Sequence, residues 1–304
     1  MFGNAMASFN RIGLLTKLDH LEVQHTLNLL IKHLLDLGLE VVVDSSITAP
    51  LEKQNFRFAD IGELASSVDL VIVVGGDGSM LSAARDMVHH EVPLLGVNRG
   101  RLGFLTDILP EEVTNRVSRV LDGEYVVSDR FLLDVEITRQ GKAIGRGLAL
   151  NDVVLHPGQS VRMLEFELSI DKQFVYSQRS DGLIVSTPTG STAYALSAGG
   201  PILHPKLDAR VLVPMNPHTL TSRPIAISGD SVVEICVSER RDIQPQVTCD
   251  GQEDFPIEPG DIIRIWRESK TVRLIHPVDH NFYGICRSKL GWGSRLDSGH
   301  HFER

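Results

Sequence analysis

The stretch Leu70-Val71-Ile72-Val73-Val74-Gly75-Gly76-Asp77-Gly78-Ser79 orders the reading of everything around it. Its first five residues are apolar, mostly β-branched and without polar alternation, the pattern of a strand covered on both faces in a parallel sheet. Three glycines around one carboxylate follow, and residues 80–87 carry a helical pattern. Glycines at a strand-to-helix turn let backbone N–H groups approach anionic oxygens, and the helix N-terminus adds partial positive charge. Asp77 does not suit plain anion binding, because it repels phosphate unless a cation or a proton donor stands between. In such a loop it points to phosphoryl transfer, as base or as metal anchor. The plainer alternative is a tight turn capped by Ser79.

Outward from this stretch the same alternation repeats. Residues 12–15 read as a strand. Leu27, Leu30, Ile31, Leu34 and Leu35 follow as one face of a helix that stops at Gly38. Residues 39–43 and 93–97 read as further strands, and 111–121 as a helix closed by Asp122-Gly123. Strand and helix in turn imply right-handed crossovers and an open, mostly parallel sheet. Near Ser128 the period changes. Residues 133–138, 152–155, 165–170, 183–185, 232–237, 262–266 and 272–275 read as strands, separated by turn signals such as Gln140-Gly141 and Pro259-Gly260. Only 192–198 looks helical there. The expectation is an α/β domain over 1–127 carrying the glycine loop and a β-rich, sandwich-like domain over 128–276. Residues 277–304 are expected to pack back on the first domain and to end in a disordered tail.

Composition narrows the function classes. Lys and Arg number 30 against 39 Asp and Glu, for a net charge of −9, which argues against a nucleic-acid binder. No apolar run approaches the ~20 residues of a membrane span, and the N-terminal stretch lacks a secretory pattern. Cys236, Cys249 and Cys286 are widely spaced and have no CxxC or HxC partners. A disulfide framework or a zinc site is therefore not expected, and a reducing cytoplasm fits. GxxxxGK[ST], GxSxG and HExxH are absent, and GxGxxG fails because Leu81 stands at its third position.

Two further stretches carry chemistry. Asn151-Asp152 enters the apolar run 153–155, and an amide beside a carboxylate suits an adenine edge and ribose hydroxyls. Asp181-Gly182 opens a strand that runs into Ser186-Thr187-Pro188-Thr189-Gly190-Ser191-Thr192-Ala193-Tyr194, then Gly199-Gly200. So many small hydroxyls and glycines give a backbone that a flat ligand can approach, or a hydroxyl-capped helix start. Arg162 and Arg179 carry the guanidinium forks that a pyrophosphate needs.

Taken together and in this order, these elements resemble the NAD kinase family, its bacterial branch above all: ATP-dependent kinases that phosphorylate the 2′-hydroxyl of the adenosine ribose of NAD. The likeness extends from Ile12 to about Trp292. It includes Asn98-Arg99-Gly100, Leu102-Gly103-Phe104-Leu105-Thr106-Asp107 and His218-Thr219-Leu220-Thr221-Ser222-Arg223-Pro224. Gly-Gly-Asp-Gly alone is shared with lipid kinases and phosphofructokinases; the combination is specific. The resemblance implies that Asp77 is the catalytic carboxylate, with Gly78 beside it facing the NAD ribose. Gly75, Gly76, Gly78 and Ser79 would form the phosphate-donor loop. It implies that Asn151 and Asp152 hold adenosine and that Asp181 lies at the ribose or nicotinamide side. Thr192, Ala193, Tyr194, Ala195, Leu196 and Ser197 would line the adenine pocket, and Arg162, Arg179 and Gln252 would complete the dinucleotide site. It further implies ATP as donor, with Mg²⁺ or another divalent cation held mainly by the nucleotide. Some site residues would come from neighbouring subunits of a homodimer or homotetramer. Ser79 stands where Thr is common and keeps the hydroxyl; Asp152 stands where Glu is common and is one methylene shorter. The tail from Leu296, with His300 and His301, matches no family feature. A lipid kinase would share Gly-Gly-Asp-Gly but want an apolar pocket, and a dinucleotide sensor would have no use for Asp77.

Overall fold

The computed structural model describes residues 9–17, 20–47, 50–52, 54–99, 103–238 and 244–292. Gly100, Leu102 and the tail from Leu296, with His300 and His301, lie outside the described residues. The chain divides into two compact units. One comprises the residues up to Met80, Leu95–Val127 and those from Ile275 on; the other comprises Leu81–Leu94 and Ser128–Leu274.

In the first unit the chain runs β1 (Arg11–Leu15), α1 (Leu21–Asp36), β2 (Glu40–Asp44), β3 (Arg57–Ala59), α2 (Ile61–Ser67), β4 (Leu70–Gly75), the first turn of α3 (Asp77–Met87), β5 (Leu94–Asn98) and α4 (Val113–Leu121). β1 pairs in parallel with β2 and β4, and β2 with β3. The strand order is β5-β4-β1-β2-β3. All six residues of β4 are buried, which is what an uninterrupted apolar run requires. α1 buries Val23, Leu27, Leu30, Ile31 and Leu34 at helical spacing, packing on Ile12, Leu14, Ile72 and Val74 of the sheet. The helix stops because Gly38 adopts φ +77°, and the Leu39 N–H donates back to the Leu34 carbonyl at 3.1 Å, a Schellman closure.

α3 begins at Asp77, three residues earlier than its apolar pattern predicts. The N–H groups of Ser79 and Met80 donate to the Gly76 carbonyl at 3.1 and 3.3 Å, so Asp77, Gly78 and Ser79 form the first helical turn. A carboxylate there is favoured by the partial positive charge of the helix end.

The second unit is antiparallel. It contains β6 (Tyr125–Arg139, from Ser128 on), β7 (Lys142–Ala149), β8 (Asp152–His156), β9 (Leu164–Ile170), β10 (Gln173–Ser180), β11 (Gly182–Ser186), α5 (Tyr194–Ser197), β12 (Ala209–Met215), β13 (Ile225–Ser228), β14 (Val233–Val237), β15 (Gln246–Cys249), β16 (Glu253–Pro256) and most of β17 (Ile262–Pro277). One sheet runs β10-β9-β14-β17, with the β6–β7 pair beside β17; the other runs β13-β12-β11-β8-β15-β16. Their inner faces share a core that includes Leu133, Val153, Phe166, Val185, Leu212, Ile235 and Ile263, a sandwich arrangement. Residues 262–266 and 272–275 are not two strands but parts of the 16-residue β17. The charged segment between them contains no Gly or Pro, and Glu268 is buried there against Ser269 Oγ and the Lys270 N–H. The helical reading of 192–198 resolves into a 3₁₀ turn at Gly190–Thr192 followed by the four-residue α5. α6 (Phe282–Leu290) follows β17 and belongs to the first unit. No helix among the described residues is long and apolar enough to cross a membrane.

Candidate active site

In the first unit the chemistry centres on the head of α3. Asp77 Oδ2 accepts the Phe104 N–H at 2.8 Å, and Oδ1 accepts the Leu105 N–H at 3.0 Å and the Thr106 hydroxyl at 3.4 Å. The carboxylate is therefore gripped in a fixed rotamer by the loop that follows β5, while remaining half-buried. Gly103 makes that grip possible: a Cβ there would lie 1.9 Å from Asp77 Oδ1. Beside it Gly78 is exposed and Ser79 is buried.

The second unit holds a cavity of about 930 Å³, polar and apolar in near-equal measure, a size suited to a large polar ligand. Asn151, Asp152, Asp181, Ala193, Tyr194 and Ser197 line it, as do His156, Thr248 and Asp250. Its floor is organised by Asp250 at the end of β15. That carboxylate accepts the N–H groups of Leu150, Asn151 and Asp152 at 3.0, 2.7 and 3.2 Å, and Arg85 of α3 donates to it at 2.7 Å. Arg85 and Asp250 are 9% and 0% exposed, a buried pair. Burial raises the pKa of Asp250 itself against these donors, and burial together with the neighbouring Asp250 carboxylate pushes Asp152 up to about 7. Asp152 is thus largely protonated below neutral pH and offers an O–H donor to the cavity, which an ionised carboxylate cannot do.

A second relay fixes the cavity rim. The Gly158 N–H donates to His156 Nδ1 at 3.2 Å, so Nε2 carries the proton and donates to Thr248 Oγ1 at 2.8 Å. Thr248 in turn donates to Asp254 at 2.6 Å. Burial lowers the His156 pKa, in keeping with a neutral ring. On the opposite rim Asn216 Nδ2 donates to Asp181 Oδ2 at 2.8 Å.

The hydroxyl-rich turn has a different use from direct ligand contact. Thr187 Oγ1 donates to the Leu150 carbonyl at 2.6 Å and accepts the Gly190 N–H at 3.1 Å, and Ser191 Oγ donates to the Pro188 carbonyl at 2.7 Å. These bonds lock the turn against 150–151. Gly190 sits so near that a Cβ would come within 2.2 Å of the Asn151 carbonyl oxygen. Ala195 belongs to the core, beside Ile184, Val211 and Val213, and Thr192 and Leu196 do not line the cavity. Nor do Arg162, Arg179 and Gln252. Arg162 and Arg179 are exposed, and the Gln252 side-chain oxygen accepts from Arg85 at 2.6 Å. Arg85, His156, Asn216, Thr248 and Asp250 went unmarked in the sequence. The one local signal, His156-Pro157-Gly158 closing a strand, resembles any turn.

Among the described residues, one group of three carries metal-ligand chemistry: Asp107, His276 and His280, with donor atoms within 4.8 Å of one another. Two imidazoles suit a transition metal rather than Mg²⁺. Moreover, their ring centroids are 4.0 Å apart. Two imidazoles bound at ~2.0–2.1 Å around a tetrahedral ion stand roughly 5 Å apart, so the cluster fits no such ion.

A helix-heading carboxylate in a glycine loop, in a chain whose β-sandwich unit holds a large half-polar cavity, fits a phosphotransferase acting on nucleotides. Residues 12–125 match the ATP-NAD kinase N-terminal domain and 150–277 the ATP-NAD kinase C-terminal domain. The NAD kinase of Azotobacter vinelandii is 57% identical over 294 residues, 97% of this chain and 100% of that protein. The NAD kinase of Pseudomonas fluorescens is 56% identical, over 97% and 99% respectively. Among solved structures, the NAD kinase of Archaeoglobus fulgidus in complex with ATP is 26% identical with TM-score 0.70, covering 92% of this chain and 97% of that one. Yeast NADH kinase complexed with NADH shares the fold at TM-score 0.85 and 23% identity, covering 95% and 90%. The chain belongs to the NAD kinase family.

Proposed function

We propose that the protein transfers the γ-phosphoryl group of ATP to the 2′-hydroxyl of the adenosine ribose of NAD, giving NADP and ADP. The observation that carries this reading is the fixed carboxylate of Asp77 at the head of α3, within the residues that match the ATP-NAD kinase N-terminal domain. In the reaction the ribose oxygen forms a bond to the γ-phosphorus and the bond from that phosphorus to the ADP oxygen breaks. The hydroxyl proton passes to Asp77, and ADP leaves with the displaced electron pair. Transfer of this kind rests on positioning and charge neutralisation more than on covalent chemistry. Gly76 and Gly78 present backbone groups to the donor phosphates, while Gly75 and Ser79, both buried, shape the loop behind them rather than face the ligand. Asn151, a protonated Asp152 and Asp181 hold the dinucleotide, with Ala193, Tyr194 and Ser197 against its flat base.

The divalent cation is read as part of the substrate, carried on the nucleotide phosphates, where it neutralises charge during transfer. Arg162 and Arg179 lie outside the cavity of their own chain; in the homodimer or homotetramer that the family resemblance implies, they would serve the site of a neighbouring copy. Incubation with NAD and MgATP, followed by an NADP-specific dehydrogenase, tests the proposal. NADP formed one-for-one with ADP supports it; ADP release without NADP, or no turnover, overturns it.

A further inference from the structure

The loop that grips Asp77 is itself anchored, and the anchor lies far away in sequence. Phe104, Leu105 and Thr106 supply the donors to the Asp77 carboxylate, and the next residue is Asp107. On one side, Asn98 Nδ2 donates to Thr106 Oγ1 at 2.8 Å and the Asn98 N–H to the Ile108 carbonyl at 2.8 Å. On the other, Asp107 Oδ2 accepts from Nδ1 of His276 at 3.1 Å and from Nδ1 of His280 at 2.7 Å. The two rings stack, with an interplanar angle of 25°. Asp107 and His276 are 12% and 1% exposed, so neither is free to re-orient toward solvent. Although burial disfavours its charge, the bonds from the two histidines hold Asp107 down to about 2, ionised at every working pH. From the same segment, Lys289 of α6 sits 5.5 Å above the Phe104 ring. The end of β17 and the chain after it thus fix the loop at two points.

We propose that Asp107 is a positioning residue for phosphoryl transfer: with His276 and His280 it locks the 103–107 loop, so that the Phe104 and Leu105 N–H groups hold the Asp77 carboxylate in the orientation that receives the hydroxyl proton. The proposal rests on the reading of Asp77 as that proton acceptor. Neither Asp107 nor the histidines need touch substrate. A shift of about 1 Å in a group so placed is enough to cost on the order of 100-fold in rate.

The test is a double-mutant cycle on the full chain, measuring kcat and the KM values for NAD and ATP in wild type, Asp77→Asn, Asp107→Asn and the double variant. Asp107→Asn is expected to lose about 10- to 100-fold in kcat with both KM values within about 2-fold of wild type. In the Asp77→Asn background the same substitution is expected to cost nothing further, because there is no acceptor left to orient. Equal losses in both backgrounds would show a general structural effect and overturn the proposal, as would an unchanged kcat in Asp107→Asn. If Asp107→Asn does not fold, His280→Leu and His280→Asn decide in its place. Asn carries an amide donor near the position of Nδ1 and should restore most of the kcat that Leu loses; equal loss in the two overturns the proposal. Near-normal turnover in Asp77→Asn alone would instead remove the reading on which the proposal rests, whatever Asp107 does.

Discussion

Asp152 and Asp77 are both aspartates near helix or strand starts, and their surroundings give them opposite tasks. Asp77 meets three donors and is fixed as an acceptor. Asp152 is buried beside a second carboxylate and holds its proton up to about pH 7. The sign of the resulting pH dependence follows from proton counting. Its pKa is raised on folding from 3.8, so the folded state binds more protons between the two values and stability falls as pH rises through that window. The whole effect is on the order of 4 kcal/mol. Thermal melts of the ligand-free protein between pH 4 and 8 should show wild type losing stability toward neutral pH. Asp152→Asn should give a flatter profile, and matching profiles would contradict the assignment. At Asp77 the isosteric Asn keeps one acceptor but turns an NH₂ toward one of the two backbone donors. Asp77→Asn is accordingly expected to fold, at a cost of about 1–3 kcal/mol in urea unfolding.

At the scale of elements, the cavity depends on the end of β15 being tied to the start of β8 and to α3. Three backbone N–H groups and Arg85 converge on Asp250. Removing the arginine leaves that charge buried with only backbone donors. Arg85→Ala should destabilise the fold by about 3–5 kcal/mol and weaken NAD binding, both read by thermal shift with and without NAD; an unchanged melt would show the pair to be dispensable. These ties explain what could be read from the sequence. β4 and the glycine loop were legible because an uninterrupted apolar run followed by glycines is a local signal. Arg85 and Asp250 were not, since they are separated by 165 residues and meet only through the fold. β12 was not legible because Arg210, fully buried, and Pro214 leave only the three residues 211–213 as an apolar run. β10 did so because, as an edge strand, it exposes Phe174 and Val175 between polar residues. The hydroxyl-rich turn was legible as a motif but not in its use: its side chains bond the backbone at 150–151 rather than face the cavity.

For the molecule as a whole, the net charge of −9 works against binding two anions. In the proposed site, positive charge would come from backbone N–H groups, from the cation on ATP and from arginines. If Arg179 serves the site of a neighbouring copy, two dead variants can repair each other. Mixing Asp77→Asn with Arg179→Ala, after dissociation and reassembly, should restore up to about a quarter of wild-type activity if each site draws its arginine from one partner. No recovery in mixed oligomers confirmed by light scattering would place Arg179 outside the shared site. The central claim, that this chain is a kinase acting through Asp77, is tested most directly by comparing NADP formation from NAD and MgATP in wild type and Asp77→Asn, with the NAD Kd measured for both. The expected result is steady NADP production by wild type and a kcat lower by about 10²- to 10⁴-fold in the variant, with the Kd changed by less than about 3-fold. Turnover in Asp77→Asn within a few-fold of wild type would contradict it.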